Sequence, residues 1–348
     1  MKIDIHTHIL PRTWPDLDKK FGYPGFVRLE HCDECSAQMM IGEKFFRKIG
    51  DNVWEPKRRI EEMDRTGVTM QALSTVPVMF SYWAKPRDAL ELCRILNDHI
   101  AEVVRGHPKR FAGLGTIPLQ DVDLAAQELT RCVRELGLRG VEIGTHVDAN
   151  EHCHGNECRN LDHPSLDVVW KTAQDLNAAV FVHPWDMMGK ERMPKYWLPW
   201  LVGMPGESSL AICSMMFAGV FERFAKLRVA FAHGGGAFPF TLGRIERAFQ
   251  VRPDLVAVDH QTNPRKYLAN AKTPARFYVD SLVHDAEALK FIVQLFGAER
   301  VALGSDYPFP LGEAEPGKLI ESLAEISSKD KSRILSGSAR EFLSLSVD

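Results

Sequence analysis

The chain has 348 residues, and 43 lysines and arginines against 46 acidic residues give it a formal net charge of −3. A composition of 45% apolar and 26% charged residues is typical of a globular protein with a large core, which excludes extensive disorder. The nearly neutral charge excludes general binding to nucleic acid or to a membrane surface, and neither a ~20-residue apolar run nor a signal-peptide pattern is present.

Short apolar, β-branched runs alternate with helical patterns along the chain. Several runs are apolar on both faces, like strands of a parallel sheet that helices cover. Eight such strands favour a (β/α)8 TIM barrel over an open doubly wound sheet, and we expect one domain over residues 1–348. No GxGxxG or GxxxxGK[ST] motif follows a strand, which weakens nucleotide-binding alternatives. The predicted strands are Lys2–His6, Val68–Val76, Arg110–Thr116, Arg139–Gly144, Ala178–His183, Leu227–His233, Arg276–Ser281 and Arg300–Ser305.

The helical patterns between these strands are long enough to cover a barrel. The clearest of them predict helices over Asp88–Arg105, Asp123–Leu136, Ser208–Phe224 and Lys329–Leu343. One connection departs from the pattern, because residues 9–67 separate the first two strands where a few residues normally suffice. This insertion leaves the carboxyl end of the first strand, so we expect a small subdomain over the barrel mouth, where active sites of such barrels lie.

Seven cysteines, an odd number in a long chain, argue against a disulfide framework and for a reducing, cytoplasmic location. Two pairs stand in irregular segments: Cys32 and Cys35 in the insertion, and Cys153 and Cys158 in the polar stretch Asp148–His163. A structural zinc bound by both pairs is one interpretation. The favoured interpretation is two solvent-facing loops with incidental thiols.

Side chains that bind metals stand at the ends of four predicted strands. The first strand runs into His6 and His8, which lie two residues apart and so point to the same face. The fifth strand ends at His183, the sixth at His233 and the eighth is followed by Asp306. The carboxyl ends of barrel strands meet on one rim, so we expect these side chains to converge. Two or three imidazoles with one carboxylate suit zinc and leave a position open for water or substrate.

This pattern resembles the amidohydrolase superfamily, with H-x-H on strand one, histidines on strands five and six and an aspartate on strand eight. The segments ALSTVPVMFSYWAKP, FVHPWDMM, KYWLPWLVGMP, FAHGGGAFPFTLGRI and LGSDYPFPLGE extend the resemblance over nearly the whole chain, to a metal-dependent decarboxylase branch. Dinuclear members add a carboxylated lysine on strand four, where Gly140–Gly144 contains none. The resemblance therefore implies that His233 is a free acid/base group and that one zinc ion per chain is held by His6, His8, His183 and Asp306.

The activity that the resemblance implies is the non-oxidative loss of CO2 from a conjugated, amino-substituted dicarboxylate in the kynurenine pathway of tryptophan catabolism, at its branch to NAD biosynthesis. His233 is then expected to move a proton between water and the substrate carbon, since its imidazole titrates near physiological pH. Asp306 both binds the metal and accepts a proton from water. Because CO2 leaves without a redox change, no organic cofactor is required.

Two arginines are candidates for binding the substrate carboxylates, because a planar guanidinium matches a carboxylate in bidentate geometry. Arg47 lies in the insertion and Arg244 in the segment FTLGRI. The resemblance implies substrate binding by both, with Arg244 reaching across the interface of a homodimer. It also places three apolar residues in matched segments, as walls of the substrate pocket or as ordinary core residues: Trp197, Phe309 and Met187.

Three other functions use the same features. A hydrolase of this superfamily would act on a lactone or amide with His233 as general base, but a neutral lactone does not require both Arg47 and Arg244. A related aromatic-acid decarboxylase would share the metal site, and the sequence does not reveal the shape of the pocket. A non-catalytic barrel is disfavoured, because every ligand type is retained.

Overall fold

The computed structural model describes residues 1–147 and 159–346. The strands of this part of the chain are, in order, β1 (Ile3–His8), β2 (Val27–Asp33), β3 (Ser36–Ile41), β4 (Lys44–Gly50), β5 (Met70–Ser74), β6 (Phe111–Gly115), β7 (Gly140–Gly144), β8 (His146–Val147), β9 (Arg159–Asn160), β10 (Ala179–His183), β11 (Arg228–Phe231), β12 (Tyr278–Asp280) and β13 (Val301–Ala302). Eight of them form one parallel sheet in the order β1-β5-β6-β7-β10-β11-β12-β13. Each of the eight overlaps a strand predicted from the sequence.

This sheet closes into a barrel because β1 also pairs with the chain around and after β13. The backbone N–H of Ile5 donates to Leu303 O at 2.9 Å, and that of His8 donates to Tyr307 O at 2.8 Å. Thr7 and Tyr307 form a parallel bridge between the same segments. The predicted (β/α)8 TIM barrel is therefore confirmed.

Helices lie between the barrel strands and within the insertion that follows β1. They are α1 (Leu17–Phe21), α2 (Pro56–Thr66), α3 (Pro86–Gly106), α4 (Val122–Arg134), α5 (Asp167–Asp175), α6 (Met204–Phe217), α7 (Val220–Arg223), α8 (Phe238–Val251), α9 (Pro253–Val256), α10 (Ala286–Phe296), α11 (Lys318–Ser322), α12 (Ser328–Ser332) and α13 (Ser338–Phe342). Within the described residues, no helix is both long and apolar enough to cross a bilayer.

Two of the predicted helices are interrupted. The helix predicted over Ser208–Phe224 is α6 followed by α7, because Gly219 between them takes a positive φ of 66° that ends the first helix. The helix predicted over Lys329–Leu343 contains one π-helical turn, Arg333–Gly337, between α12 and α13. The other two predicted helices correspond to α3 and α4.

The barrel interior below the mouth is a packed core. Phe181 is fully buried there, and the His6 ring contacts it with 4.9 Å between ring centroids. The strand-end histidines consequently rest on a rigid apolar layer. The other members of this buried cluster are Ile3, Ile5, Ala72, Ala112, Leu114, Ala179, Ala230, Ala232, Tyr278, Ala302, Ala339, Phe342 and Leu343.

The insertion between β1 and β5 contains α1, α2 and an antiparallel sheet in the order β2-β3-β4. Met39 pairs with Arg47 and Met40 with Phe45, so Phe46 is an extra residue in β4 and forms a bulge. An apolar cluster joins this sheet to the barrel loops, including Leu10 and residues of α3. That the insertion forms a separate subdomain over the barrel mouth stays a prediction.

The cysteine-rich loop predicted over residues 148–163 lies mostly outside the described residues, and with it Cys153 and Cys158. Its described end, Arg159–Asn160, pairs with His146–Val147. Cys32, near the end of β2, and Cys35, in the turn before β3, are exposed free thiols. The alternative of a structural zinc at these loops stays a prediction.

Candidate metal centre and substrate cavity

The four predicted metal ligands come together at the carboxyl end of the barrel. His6, His8, His183 and Asp306 each offer one ligand atom, and these atoms all lie within 4.8 Å of one another. Both histidines of β1 are fully buried, and residues two apart in a strand point to the same face. His183 is the last residue of β10. Asp306 follows β13 with a positive φ of 57°.

The hydrogen bonds of the three histidines leave one ring nitrogen of each available for a metal. His6 Nδ1 lies 2.7 Å from Asp280 Oδ2, and His8 Nδ1 lies 2.7 Å from the carbonyl oxygen of Thr75. His183 Nδ1 lies 2.9 Å from the carbonyl oxygen of the proline that follows it. A carbonyl oxygen only accepts hydrogen bonds, so Nδ1 carries the proton and Nε2 a lone pair.

All three Nε2 atoms are buried and without a hydrogen-bond partner among the described residues. An unsatisfied buried polar group costs about 1–3 kcal/mol, and metal coordination removes that cost. Asp306 Oδ1 lies 3.1 Å from His8 Nε2 and 3.6 Å from His6 Nε2. Two tetrahedral ligands at 2.0–2.1 Å from one zinc ion lie about 3.3 Å apart, so this spacing fits a shared divalent cation.

The negative charge of Asp306 also suits the binding of a divalent cation. Burial opposes its ionisation, but the close contact with the His8 ring and the positive potential of neighbouring histidines lower the pKa of Asp306 to about 2. Asp306 is consequently a carboxylate at neutral pH. It supplies the single anionic oxygen ligand among three imidazoles, which is a common donor set for zinc and for other transition metals.

The strand-four position holds Glu142, to which the sequence assigns no role. It is fully buried on β7, and its Oε1 lies 3.7 Å from His8 Nδ1. Neither carboxyl oxygen has a hydrogen-bond partner among the described residues, and burial raises the pKa of Glu142 well above its usual value. A neutral carboxylic acid is a poor metal ligand, and Glu142 is not part of the group of four.

Asp280 is a functional residue that the sequence analysis missed. Its Oδ2 accepts from His6 Nδ1 at 2.7 Å and from the backbone N–H of His233 at 2.9 Å. Its Oδ1 accepts from the N–H groups of Gly234 at 2.8 Å and Leu282 at 3.1 Å. One carboxylate thus orients a metal ligand and the loop that carries His233. The one signal in the sequence was its place near the end of the seventh predicted strand, which does not reveal the groups that it contacts.

His233 lies beside the metal group and is not one of its four members. Its ring centroid is 5.0 Å from that of His183 and 5.2 Å from that of His6. Burial, followed by the positive potential of His6, lowers the pKa of His233 to about 4. Its backbone takes a φ of 56°, an uncommon conformation that clusters at functional sites. The position is that of a neutral imidazole facing the reaction space.

Three members of the metal group, His8, His183 and Asp306, line a cavity of about 400 Å³. Arg47 reaches into this cavity from the insertion, with its guanidinium 4.6 Å above the Phe309 ring, and forms no ion pair with the residues that the structure describes. The bulge residue Phe46 and the Arg47 that follows it both line the cavity. The wall residues include Phe46, Trp185, Trp197, Trp200, Leu201, Met204, His233, Phe240 and Phe309.

Two predicted substrate-binding residues lie elsewhere. Met187 is 5% exposed and packs against Gly203, outside the lining that the described residues form. Arg244 is exposed on α8, one turn beyond Phe240, and likewise does not line the cavity of its own chain. Arg47, Trp197 and Phe309 do line it. The roles of all five in substrate binding stay predictions.

The sequence matches the family described as amidohydrolase over residues 3–345. It is 57% identical over 345 residues to a 2-amino-3-carboxymuconate-6-semialdehyde decarboxylase of Dictyostelium discoideum, covering 99% of this chain and 92% of that relative. The protein of that name from Caenorhabditis elegans is 37% identical, covering 99% of this chain and 94% of that relative. The crystal structure of 5-carboxyvanillate decarboxylase from Novosphingobium aromaticivorans with manganese and 4-hydroxy-3-methoxy-5-nitrobenzoic acid has a TM-score of 0.78 at 21% identity, covering 99% of this chain and 96% of that chain.

The chain therefore belongs to the amidohydrolase family, as its barrel and its His/Asp metal site also indicate. Within that family it belongs to the 2-amino-3-carboxymuconate-6-semialdehyde decarboxylases, and it is an enzyme, a carboxy-lyase. The resemblance read from the sequence motifs is confirmed. A decarboxylase is consequently favoured over the hydrolase and over a barrel without catalysis.

Proposed function

We propose that this enzyme converts 2-amino-3-carboxymuconate 6-semialdehyde into 2-aminomuconate 6-semialdehyde and CO2, in the kynurenine pathway of tryptophan catabolism. The names of the two relatives support the choice of substrate. The observation that carries the proposal is one cavity that brings Arg47 and His233 to the metal group. Arg47, which pairs with no carboxylate among the described residues, shares this cavity with the His233 imidazole. A substrate that carries carboxylates and must gain a proton needs both groups. The free thiols at exposed positions support a cytoplasmic location.

The metal in this proposal is one zinc ion per chain, held by His6, His8, His183 and Asp306. Three neutral imidazoles and one carboxylate in tetrahedral spacing support zinc. Manganese is the alternative, since the crystal structure of 5-carboxyvanillate decarboxylase contains it. When bound, such a cation supplies Lewis-acid polarisation of an oxygen of the substrate or of water.

Substrate binding is assigned to the cavity walls. Arg47 pairs with one substrate carboxylate through its guanidinium fork, and its place above Phe309 holds that fork in one orientation. The rings of Phe309 and Trp197 contact the flat conjugated chain. Apolar walls also exclude water, which strengthens the ion pair between Arg47 and the carboxylate.

Proton transfer is assigned to His233 and Asp306. Decarboxylation exchanges one carboxylate of the conjugated chain for one hydrogen. A ring nitrogen of His233, which faces the cavity, takes a proton from water and delivers it to the carbon that bears this carboxylate. The bond from that carbon to the carboxylate then breaks, its electron pair enters the conjugated system and CO2 leaves, while the hydroxide left from water takes up a proton from solvent. Asp306 keeps one oxygen, Oδ2, for accepting a proton from water while Oδ1 faces the histidines.

A homodimer completes the site in this proposal, with Arg244 supplied by the partner subunit. Phe240 on α8 is 77% exposed and Leu201 is 51% exposed, and both line the cavity. Val202, next to Leu201, is 59% exposed. Such exposure of large apolar side chains is typical of an interaction surface. Arg244 lies one helical turn from Phe240, so a partner that covers this apolar surface brings its own Arg244 to the same region.

Mixing two inactive variants tests this arrangement. Arg244→Ala and His233→Ala dimers, dissociated and recombined in equal amounts, produce mixed dimers with one intact site. Random pairing makes half of the dimers mixed, so about a quarter of all sites should be active. An inactive mixture, despite demonstrated subunit exchange, contradicts the supply of Arg244 in trans.

The proposed reaction is tested by following the muconate absorbance together with CO2 release. We expect both to require about one zinc per chain, to stop when a chelator removes the metal and to return when zinc is added. 2,6-Dihydroxybenzoate serves as the comparison substrate for the aromatic-acid alternative. Faster decarboxylation of that ring than of the muconate contradicts the proposed substrate, and turnover without CO2 contradicts the reaction class.

A further inference from the structure

Arg59 is a fully buried cation beside the metal group, and the reaction proposed above does not use it. It lies on α2 and donates to four uncharged oxygens: His8 O at 2.7 Å, Asn52 O at 3.0 Å, Thr7 Oγ1 at 3.1 Å and Gln71 Oε1 at 3.0 Å. Taking a guanidinium out of water costs several kcal/mol, and neutral acceptors offset less of that cost than a carboxylate does. The burial of Arg59 is therefore explained by the chain segments that its hydrogen bonds hold in place.

What Arg59 holds is the end of the strand that bears two metal ligands. His8 O accepts from Arg59 Nη1, while His8 N donates to Tyr307 O at 2.8 Å. Both backbone groups of His8 are thus fixed, and the direction of its imidazole follows from that. Thr7, one residue earlier, accepts from Arg59 Nη2 through its hydroxyl, which itself donates to Ala72 O at 2.9 Å.

Glu62, three residues further along α2, holds the segment that bears the carboxylate ligand. Its Oε2 accepts from the Tyr307 hydroxyl at 2.5 Å and from Asn52 Nδ2 at 3.2 Å. Tyr307 directly follows Asp306, and its ring lies 4.7 Å below the Arg59 guanidinium. One turn of α2 therefore contacts both chain segments whose side chains meet at the metal group.

We propose that Arg59 and Glu62 are a positioning pair, which sets the separation of His8 and Asp306 and thereby the affinity of the site for a divalent cation. The inference rests on the proposed function, because it takes those two residues as ligands. A planar guanidinium suits this role, since its fork donates to the strand and to the insertion at the same time. A lysine carries a single ammonium group, so it can replace only some of the four hydrogen bonds that Arg59 donates.

The test measures metal affinity rather than turnover. Full-length protein loaded with Co2+ is titrated with a chelator of known affinity, and the visible absorption of the bound Co2+ reports its coordination geometry. Arg59→Met keeps the volume of the side chain and removes its donors. We expect Co2+ binding to weaken by about 10- to 100-fold and the absorption spectrum to change, with partial recovery of both in Arg59→Lys.

Arg276→Met is the matched control. Arg276 also donates to backbone carbonyls, Leu227 O at 3.0 Å and Phe224 O at 2.8 Å, but at the amino-terminal end of the barrel strands. This control should lower thermal stability while leaving Co2+ affinity and spectrum unchanged. A loss of affinity as large as that of Arg59→Met would assign the effect to general destabilisation and overturn the proposal.

Wild-type Co2+ affinity and spectrum in a folded Arg59→Met protein also overturn it. If that variant does not fold, Tyr307→Phe tests the proposal instead, because it removes only the hydroxyl that donates a hydrogen bond to Glu62. Weaker Co2+ binding in Tyr307→Phe, by roughly tenfold, supports the positioning pair, and unchanged binding refutes it. A wild-type chain that takes up no divalent metal contradicts the proposed metal site itself, so the two failures are distinguishable.

Discussion

The two carboxylate oxygens of Asp280 accept hydrogen bonds from four N–H groups. The substitution Asp280→Asn replaces one of these oxygens by an amide nitrogen, which cannot accept. In one orientation the amide nitrogen faces the backbone N–H groups of Gly234 and Leu282, and neither donor can change. In the other it faces the N–H of His233 and His6 Nδ1. Only the imidazole can move its proton, so the second orientation leaves fewer unsatisfied donors and is the one that we expect.

That orientation has a direct consequence for the metal. When His6 Nδ1 accepts from the amide, the ring proton moves to Nε2 and occupies the lone pair that faces the other ligands. We expect metal affinity to fall by about 10- to 100-fold, which corresponds to about 1.4–2.7 kcal/mol. One buried backbone donor, that of His233, also loses its acceptor, which lowers the free energy of unfolding by about 1–3 kcal/mol.

Chelator competition measures the first effect and thermal unfolding of the metal-free chain the second. Asp285→Asn is the matched control, because Asp285 is an exposed N-cap of α10 that accepts from Ala288 N, and asparagine caps helices as well as aspartate does. The reasoning is refuted if D280N holds its metal with wild-type affinity, or if D285N loses it equally.

Three further predictions concern the ligands, the acid/base group and a distant histidine. His183→Ala should lose metal and activity together, with metal content per chain as the measurement, and a variant that retains about one ion would contradict its role as a ligand. His233→Ala should keep its metal and lose at least ~10²-fold in turnover that added zinc does not restore; a metal-free variant would make His233 a ligand. Burial lowers the pKa of His99 below its usual 6.5, so unfolding takes up a proton as the pH falls below about 6.5 and stability decreases there. His99→Gln should therefore reduce the drop in melting temperature between about pH 6.5 and pH 5, and an unchanged slope would contradict the assignment.

The barrel and its ligands could be predicted because each depends on local sequence. The strands are short β-branched runs, and their carboxyl ends lie on one rim in every such barrel. His6 and His8 reveal their common face through a spacing of two, and Asp306 reveals itself by following a strand. The breaks within two predicted helices could not be foreseen, since Gly219 is one glycine among many and its φ of 66° is set by packing.

The residues that support the ligands could not be predicted for a physical reason. Asp280 contacts His6 across 274 positions of sequence, and Arg59 contacts His8 across 51. A buried arginine and a strand-end aspartate have no periodicity that distinguishes them from residues in ordinary roles. Met187 lies in a matched segment, yet its side chain turns toward Gly203, and segment resemblance does not reveal which way a side chain points.

The bulge at Phe46 makes the position of Arg47 independent of the barrel strands that carry the metal group. Consecutive strand residues normally face opposite sides, so without the extra residue Phe46 and Arg47 could not both reach the cavity. The charge that we propose to bind a substrate anion thus depends on the register of a peripheral sheet, while the metal group depends on the barrel. Deleting or inserting a single residue in β4 would turn Arg47 away and leave the four ligands where they are. Substrate preference can therefore diversify in this scaffold by changes of length in one hairpin, without any rebuilding of the metal chemistry beneath it.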